Sequence, residues 1–179
     1  MTSNMRFPLR LLVTDASNKF QLAFSEQGAM LLAGFSGVQT QASARGLIIN
    51  ALAERDLSAA VAMLQTAFPG VDTGTVEVVY LDQGCMEPYV RVHVTTPADY
   101  YGFVIAQLND RCGLIESLVD TDSHLKTVSA TAPLAKMLGY EKVLAETTRN
   151  SATVEYSFVD YRAVQSRSPE PPRRPAATA

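Results

Sequence analysis

Residues 87–118 of the chain read EPYVRVHVTTPADYYGFVIAQLNDRCGLIESL, and the fold expected for the second half follows from their pattern. Its first part, YVRVHVT, alternates valine with polar residues, which is typical of a strand with one buried face. A helix start follows at once, because Thr96 can cap a helix and Pro97 suits its first position. The stretch therefore predicts a strand that runs directly into a helix.

The predicted helix has one apolar face and a defined end. Its apolar residues recur three and four positions apart, at Tyr101, Val104, Ile105 and Leu108. Gly113 is placed to end the helix, since glycine enters the left-handed conformation of a C-cap without steric cost. Asn109 and Arg111 lie beside this end, next to Cys112.

The rest of the second half predicts a hairpin, a second helix and a closing strand. The runs LIESLVD and HLKTVSAT, joined by TDS, predict paired strands. Pro133 opens a helix that Gly139 is expected to distort, and TVEYSF alternates as a last strand. The order β-α-β-β-α-β is that of the split β-α-β, ferredoxin-like sandwich, in which two helices cover one face of a four-stranded antiparallel sheet.

The first half is expected to form a second small α/β sandwich. The runs FPLRLLVT, KFQLAFS and AMLLAGF predict three strands, the last two joined as a hairpin by EQG, and TVEVVYL predicts a final strand. Two helical faces are predicted between them, one at Ala44, Leu47, Ile48 and Ala51 and one, after an Asp56 cap, at Leu57, Ala60, Val61 and Leu64. The fold class is α+β, with domains at 5–83 and 86–164 and a disordered proline- and arginine-rich tail at 165–179.

Composition excludes some classes of function. The 179 residues are 47% apolar, which is enough to bury a core, and the net charge of −3 provides no overall field for a polyanion. No apolar run approaches the ~18 residues of a membrane span or resembles a cleaved leader, so we expect a cytoplasmic protein. Cys85 and Cys112 have no metal-type spacing with His93 or His124, so we expect free thiols and no metal site.

Three segments resemble one protein family. EPYVRVHVTTPADYYGFVIAQLNDRCGLIESL, APLAKMLGY and TTRNSATVEYSFVDY closely resemble the C-terminal domain (domain V) of translation elongation factor G and of its relatives, the ribosomal protection proteins. The first half resembles the third domain of that factor more weakly, without a counterpart before Lys19 of the helix that joins its first two strands. The matched positions include Glu87, Pro88, Val92, Val94, Pro97, Tyr100, Gly102, Val104, Ile105, Leu108, Asn109, Arg111, Gly113, Ile115, Pro133, Leu134, Met137, Gly139, Tyr140, Thr148 and Ala152.

The resemblance implies contact with ribosomal RNA, and the chain departs from the family where that contact depends on charge. Cys112 and Leu114 stand at positions that are commonly basic in the family, and Asn150 and Ser151 replace a common Gly-Arg pair. Because RNA affinity is largely phosphate neutralisation, each lost cation weakens it. The candidate RNA-binding residues that the chain retains are Asn109, Arg111, Lys126 and Arg149.

Two functions remain open on the sequence. The first is a non-enzymatic, elongation factor G-like module that lacks the GTPase domain and binds the ribosome or ribosomal RNA near the factor-binding site. The second is a module that has lost RNA binding and interacts with a protein partner or forms a homo-oligomer. No G-x-x-x-x-G-K-[S/T] loop and no nucleophile–base set occurs, so we expect no nucleotide, no cofactor and no catalytic residues. For Asn109 and Arg111 the structural alternative is that they bind the carbonyls of a helix end.

Overall fold

The computed structural model describes residues 7–17, 19–122 and 124–164. These residues form two antiparallel sheets, one between residues 9 and 78 and the other between residues 86 and 163. The predicted tail at 165–179 and the first residues of the predicted domain 5–83 lie outside the described residues. The α+β fold class predicted from the sequence is confirmed.

The first sheet is built from a β-α-β-β-α-β unit. Its strand order is β2-β3-β1-β4, with every pairing antiparallel, and a short strand β5 also pairs with β1. The elements are β1 (Leu9–Asp15), α1 (Gln21–Leu31), β2 (Val38–Ser43), β3 (Gly46–Ala51), α2 (Glu54–Ala67), β4 (Val71–Thr73) and β5 (Glu77–Val78). The first half thus has split β-α-β topology of its own.

The strands predicted at KFQLAFS and AMLLAGF are wrong, because this segment contains α1. Phe24, Ser25 and Gly28 form the buried side of the helix, and a Cβ added at Gly28 would lie 2.9 Å from a methyl carbon of Leu47. The exposed side carries apolar residues too, with Leu22 and Met30 both open to solvent beside Glu26 and Gln27. Because both sides mix apolar and polar residues, the segment shows no helical periodicity. The first two strands, β1 and β2, are thus joined by the helix α1.

The helix predicted over Ala44–Ala51 is also wrong, because Gly46–Ala51 is the strand β3. Gly46, the first residue of β3, has φ +134°, and a Cβ there would collide with the carbonyl oxygen of Val13. The second predicted helix is confirmed as α2, although Ala53 rather than Asp56 is its N-cap residue. Of the run TVEVVYL only Glu77–Val78 is a strand.

The second sheet repeats the topology of the first. Its strand order is β7-β8-β6-β9, and all pairings are antiparallel. The elements are β6 (Met86–Pro97), α3 (Tyr101–Asp110), β7 (Leu114–Asp120), β8 (Leu125–Pro133), α4 (Leu134–Met137), α5 (Tyr140–Thr148) and β9 (Thr153–Ala163). Helices α3, α4 and α5 cover the face on which Val90, Val92 and Val94 are fully buried. The ferredoxin-like prediction for this half is confirmed.

Two helix boundaries differ from the prediction. Strand β6 continues through Pro97, and a 3₁₀ turn at Ala98–Tyr100 precedes α3. Thr96 pairs with Lys126 in the sheet, and its buried hydroxyl has no hydrogen-bond partner among the described residues, so it is not a cap. The expected break at Gly139 is present, since this residue takes the left-handed conformation at φ 72° and separates α4 from α5.

The buried apolar residues of the two sheets form one continuous cluster. It extends from Leu9 and Leu57 in the first half to Leu134 and Tyr140 in the second. In the part of the chain that the structure describes, no helix is long and apolar enough to cross a membrane. The same residues contain no group of three His, Cys, Asp or Glu that could hold a metal ion.

Candidate functional site

The end of helix α3 is closed by a Schellman motif. The N–H of Gly113 donates to the carbonyl oxygen of Leu108 at 2.8 Å, and the N–H of Cys112 donates to that of Asn109 at 3.0 Å. The left-handed residue of the motif is Cys112, at φ 60°, which corrects the prediction for Gly113. Glycine is needed at position 113 for close approach instead, since a Cβ would lie 2.8 Å from the carbonyl oxygen of Leu108.

Arg111 follows directly on α3 and binds the break between α4 and α5. Its Nη1 donates to the carbonyl oxygen of Lys136 at 2.6 Å and to that of Leu138 at 3.1 Å. The guanidinium carbon lies 5.3 Å from the ring centroid of Tyr140. Carbonyl oxygens at a helix end lack partners within their own helix, so an arginine that binds two of them stabilises the break. These contacts agree with the alternative that Arg111 binds carbonyl oxygens at a helix end, although the carbonyls lie at the end of α4 and not of α3.

The ring of Tyr140 is fully buried under this guanidinium. Burial raises the pKa of the Tyr140 hydroxyl to about 12, and the charge of Arg111 offsets part of the rise. Asn109, the partner of Arg111 in the sequence motif, is exposed on the last turn of α3. Its side chain makes no hydrogen bond to another described residue, so it does not share the carbonyl contacts of Arg111.

Lys126 lies at the start of β8 and is held by the neighbouring strand. Its Nζ is 2.8 Å from Oδ1 of Asp120 and 4.9 Å from the ring centroid of Tyr101. The hydrogen bond and the charge of Asp120 raise the pKa of Lys126 above its ordinary value. The ammonium therefore stays charged, but a phosphate group has to compete with Asp120 for it.

Arg149 is the C-cap residue of α5 and is exposed. It takes the left-handed conformation at φ 53°, and Asn150 follows at φ 60°, so two consecutive non-glycine residues have positive φ. Such backbone is uncommon outside glycine. The guanidinium of Arg149 forms no hydrogen bond or ion pair with another described residue. It is thus available to a ligand.

The four candidate residues lie at two opposite ends of the helical layer. Lys126 contacts Tyr101, the first residue of α3, whereas Asn109 and Arg111 lie at its other end, about 15 Å away for a helix of this length. Helix α5 starts beside Arg111 and ends at Arg149, so Arg149 shares the end of Lys126. The structure therefore brings Lys126 and Arg149 to one end and does not join them to Arg111 in a single basic patch.

The joint between the two halves contains polar residues that the sequence did not indicate. At the start of α2, Arg55 donates to the carbonyl oxygen of Val154 at 2.5 Å, and Glu54 accepts the N–H of Gly139 at 2.6 Å. Glu141 lies beside them, and burial raises the pKa of its carboxyl; Arg55 lowers that pKa and Glu54 raises it further. A small recess at the joint is lined by Leu9, Leu52, Ala53, Glu54, Leu134, Met137, Leu138, Glu141 and Tyr156.

Comparison with known proteins identifies the second half. Residues 84–171 match the family model described as "Elongation factor G C-terminus". This part of the chain is an elongation factor G C-terminal domain. The predicted resemblance is confirmed, and the domain is of a translation-related type.

Among solved structures, a crystal structure of a Thermus thermophilus protein is similar over most of the chain. The two share 14% sequence identity with a TM-score of 0.61, and the match covers 87% of this chain and 40% of that one. At this identity the similarity shows the fold alone, and the chain spans less than half of the length of that protein. Because the match covers 87% of this chain, the shared fold includes the first half as well as the elongation factor G C-terminal domain.

The departures of this elongation factor G C-terminal domain from the family pattern lie on its surface. Leu114, the first residue of β7, is 68% exposed, and Cys112 is exposed as a free thiol. The resemblance implies basic residues at both positions, and the chain places an apolar side chain and a thiol there instead.

Proposed function

We propose that the chain is a non-enzymatic, elongation factor G-like module that binds the ribosome or ribosomal RNA near the factor-binding site. The observation that carries this proposal is the match of residues 84–171 to the elongation factor G C-terminal family, together with the complete ferredoxin-like sheet they form. The cytoplasmic location and the lack of catalysis, cofactor and nucleotide remain predictions.

The end of the domain that carries Lys126 and Arg149 is the better candidate for phosphate contact. Arg149 is exposed and forms no ion pair with another described residue, and Lys126 keeps its charge beside Asp120. Arg111 is already engaged by the carbonyls of Lys136 and Leu138, so an RNA phosphate would have to displace two hydrogen bonds. We expect Arg149 to contribute most and Arg111 least.

Co-sedimentation of the full chain with ribosomes, at low and at moderate salt, tests the proposal. We expect Arg149→Gln and Lys126→Gln each to reduce the bound fraction several-fold and to flatten its salt dependence, because each removes one phosphate contact. Lys142→Gln is the matched control. It also removes one positive charge, but from an exposed position on α5 where the side chain is 81% open to solvent. No association of the wild-type chain at either salt would refute the proposal.

A protein-interaction function is favoured by one specific observation, the outer edge of strand β7. This edge strand exposes Leu114, Leu118 and Val119. Both of its acidic side chains are held within the domain, Glu116 by Arg91 at 2.9 Å and Asp120 by Lys126 at 2.8 Å. An edge strand with apolar side chains and few free charges can pair with a further strand.

Sedimentation velocity of the wild type and of Leu118→Lys separates the two functions. A concentration-dependent dimer that Leu118→Lys abolishes would support the interaction module. A monomer at all concentrations, together with a pull-down that recovers no protein partner, would count against it. Ribosome binding that Leu118→Lys leaves unchanged would assign the two activities to different surfaces.

A further inference from the structure

The open face of the first sheet carries a groove, which lies outside the elongation factor G C-terminal domain of the chain. Its volume is about 340 Å³, and it is lined in part by Arg10, Leu12, Ser43, Arg45, Ile48 and Glu77. Along β1 the side chains of Leu9, Leu11 and Val13 are buried on the helix side, so the intervening residues face the opposite side. The groove therefore lies on the face that α1 and α2 do not cover.

Two arginines give the groove a local positive charge within an acidic chain. Arg10 is oriented by a hydrogen bond of 3.4 Å from its Nε to Oδ1 of Asn50, which is 3% exposed. Arg45 lies in the turn between β2 and β3 and is exposed. Neither guanidinium forms an ion pair with another described residue. Each is consequently free to bind a carboxylate in the two-bond geometry that arginine favours.

The spacing of the lining residues suits an extended peptide. Leu12 and Ile48 are Cα partners in the β1–β3 ladder and form an apolar floor between the two arginines. From Arg10 to the level of Arg45 the strands advance by about 16.5 Å, or five residues at about 3.3 Å each. In an extended peptide, residues i, i+2 and i+4 face the same side and span about 13 Å. An acidic, an apolar and an acidic residue at these positions would meet Arg10, the floor and Arg45 in turn.

The same groove is a poor site for RNA. None of its lining residues is aromatic, so an unpaired base would find no ring to stack on. Its floor is apolar, whereas a sugar–phosphate backbone needs polar contacts. Glu77, which is the Cα partner of Arg10, repels a polyanion and also weakens the attraction of Arg10 for a single carboxylate, but it can accept the N–H groups of a peptide.

From these observations we infer that the open face of the first sheet binds a short extended peptide of the pattern acidic-x-apolar-x-acidic, presented by a partner protein. Arg10 and Arg45 bind the two carboxylates, and Leu12 and Ile48 contact the apolar side chain between them. The site goes beyond the proposed ribosome contact, because it lies in the other half of the chain and recognises a different class of ligand.

Methyl NMR of the full chain, observed at Leu12 and Ile48, tests this inference with defined probes. The peptide acetyl-Glu-Ala-Leu-Ala-Glu-amide is titrated beside its Gln-Ala-Leu-Ala-Gln counterpart and beside oligouridylate. We expect saturable shifts with the acidic peptide alone. Arg45→Gln and Arg10→Gln should each raise the dissociation constant about tenfold, as expected for the loss of one charge-assisted contact.

Lys19→Gln is the control, because it removes a cation from the same half without touching the groove. Arg10→Gln also removes the hydrogen bond to Asn50 and can disturb the sheet. Arg45→Gln is then the decisive variant, because Arg45 is exposed in a turn. The inference is overturned if the acidic peptide causes no saturable shift, if Arg45→Gln binds it as tightly as wild type, or if oligouridylate shifts the same methyl groups more strongly.

Discussion

The N–H of Gly139 donates a hydrogen bond of 2.6 Å to Oε2 of Glu54, which lies 85 positions earlier in the sequence. The donor is the left-handed glycine between α4 and α5, and the acceptor is in the first turn of α2. The bond therefore joins the helical layer of the second half to the first half. It also satisfies a backbone donor that the break in the helix leaves without a helical partner.

Glu54→Ala should destabilise the chain by about 1–2 kcal/mol, since it removes a charged acceptor from a partly buried N–H. Glu54→Gln keeps an acceptor oxygen and should lose less than half as much. Urea unfolding of both variants measures the two differences. Equal losses would show that the charge, and not the hydrogen bond, provides the stabilisation.

Arg111→Ala should lower the free energy of unfolding by about 2 kcal/mol, because it leaves the carbonyls of Lys136 and Leu138 without their donor and removes the cation over Tyr140. Arg111→Lys should recover only part of this, since lysine lacks the planar fork. Urea unfolding checks both, with the exposed Lys142→Ala as the control. If Arg111→Ala lowers the free energy of unfolding no more than the control does, Arg111 is not held by these contacts and is available to bind RNA.

Cys112→Gly should raise the free energy of unfolding by up to about 1 kcal/mol, because a non-glycine residue at φ 60° is strained and glycine is not. Gly113→Ala should lower it by about 1–3 kcal/mol, since the new methyl group would be forced against the carbonyl oxygen of Leu108. Thermal unfolding distinguishes the two neighbouring positions by opposite shifts in Tm. Shifts of the same sign would contradict the Schellman geometry.

Glu141 should make stability depend on pH. Its pKa is raised in the folded state by burial, so the unfolded chain releases this proton first as the pH rises. The folded state therefore loses stability above the ordinary pKa of a glutamate, until the pH passes the raised value. Glu141→Gln removes the carboxylate and should be more stable than wild type near neutral pH, but not at acidic pH, where the carboxyl is neutral in both the folded and the unfolded chain.

Urea unfolding of wild type and Glu141→Gln across this range gives the difference directly. The charged groups that face Glu141 are Arg55, Glu54 and Asp56, and none of them changes in the variant. A difference that stays constant with pH would assign the effect to packing.

The second half was predictable because its strands have one buried and one open face. Val90, Val92 and Val94 alternate with polar residues in β6. Gly139 takes the left-handed conformation and so separates α4 from α5. The first half defeated the same reasoning in two places. Helix α1 has apolar residues on both its buried and its exposed side, so it shows no helical periodicity. In β3, Ile48 lines the groove while its neighbours Leu47 and Ile49 are buried, so the strand shows no alternation of apolar and polar residues.

The candidate site was predictable only in part, since sequence patterns name side chains and not the backbone atoms they bind. The motif indicated Arg111, but its acceptors are carbonyl oxygens 25 and 27 positions away. Likewise nothing in the sequence indicated that Arg55 reaches the carbonyl of Val154, 99 positions later. Contacts of this kind depend on tertiary geometry.

Strand β9 has a consequence for the order in which the molecule forms during synthesis. It pairs with β6 from Thr153 to Ala163 and also supplies the carbonyl that Arg55 binds. The first sheet needs nothing beyond Val78, so it can fold while the rest of the chain is still being made. The second sheet and the joint both wait for the last strand. Until β9 is made, the joint lacks Tyr156 and the carbonyl that Arg55 binds, so we expect the nascent chain to leave part of the apolar surface around Leu9 uncovered.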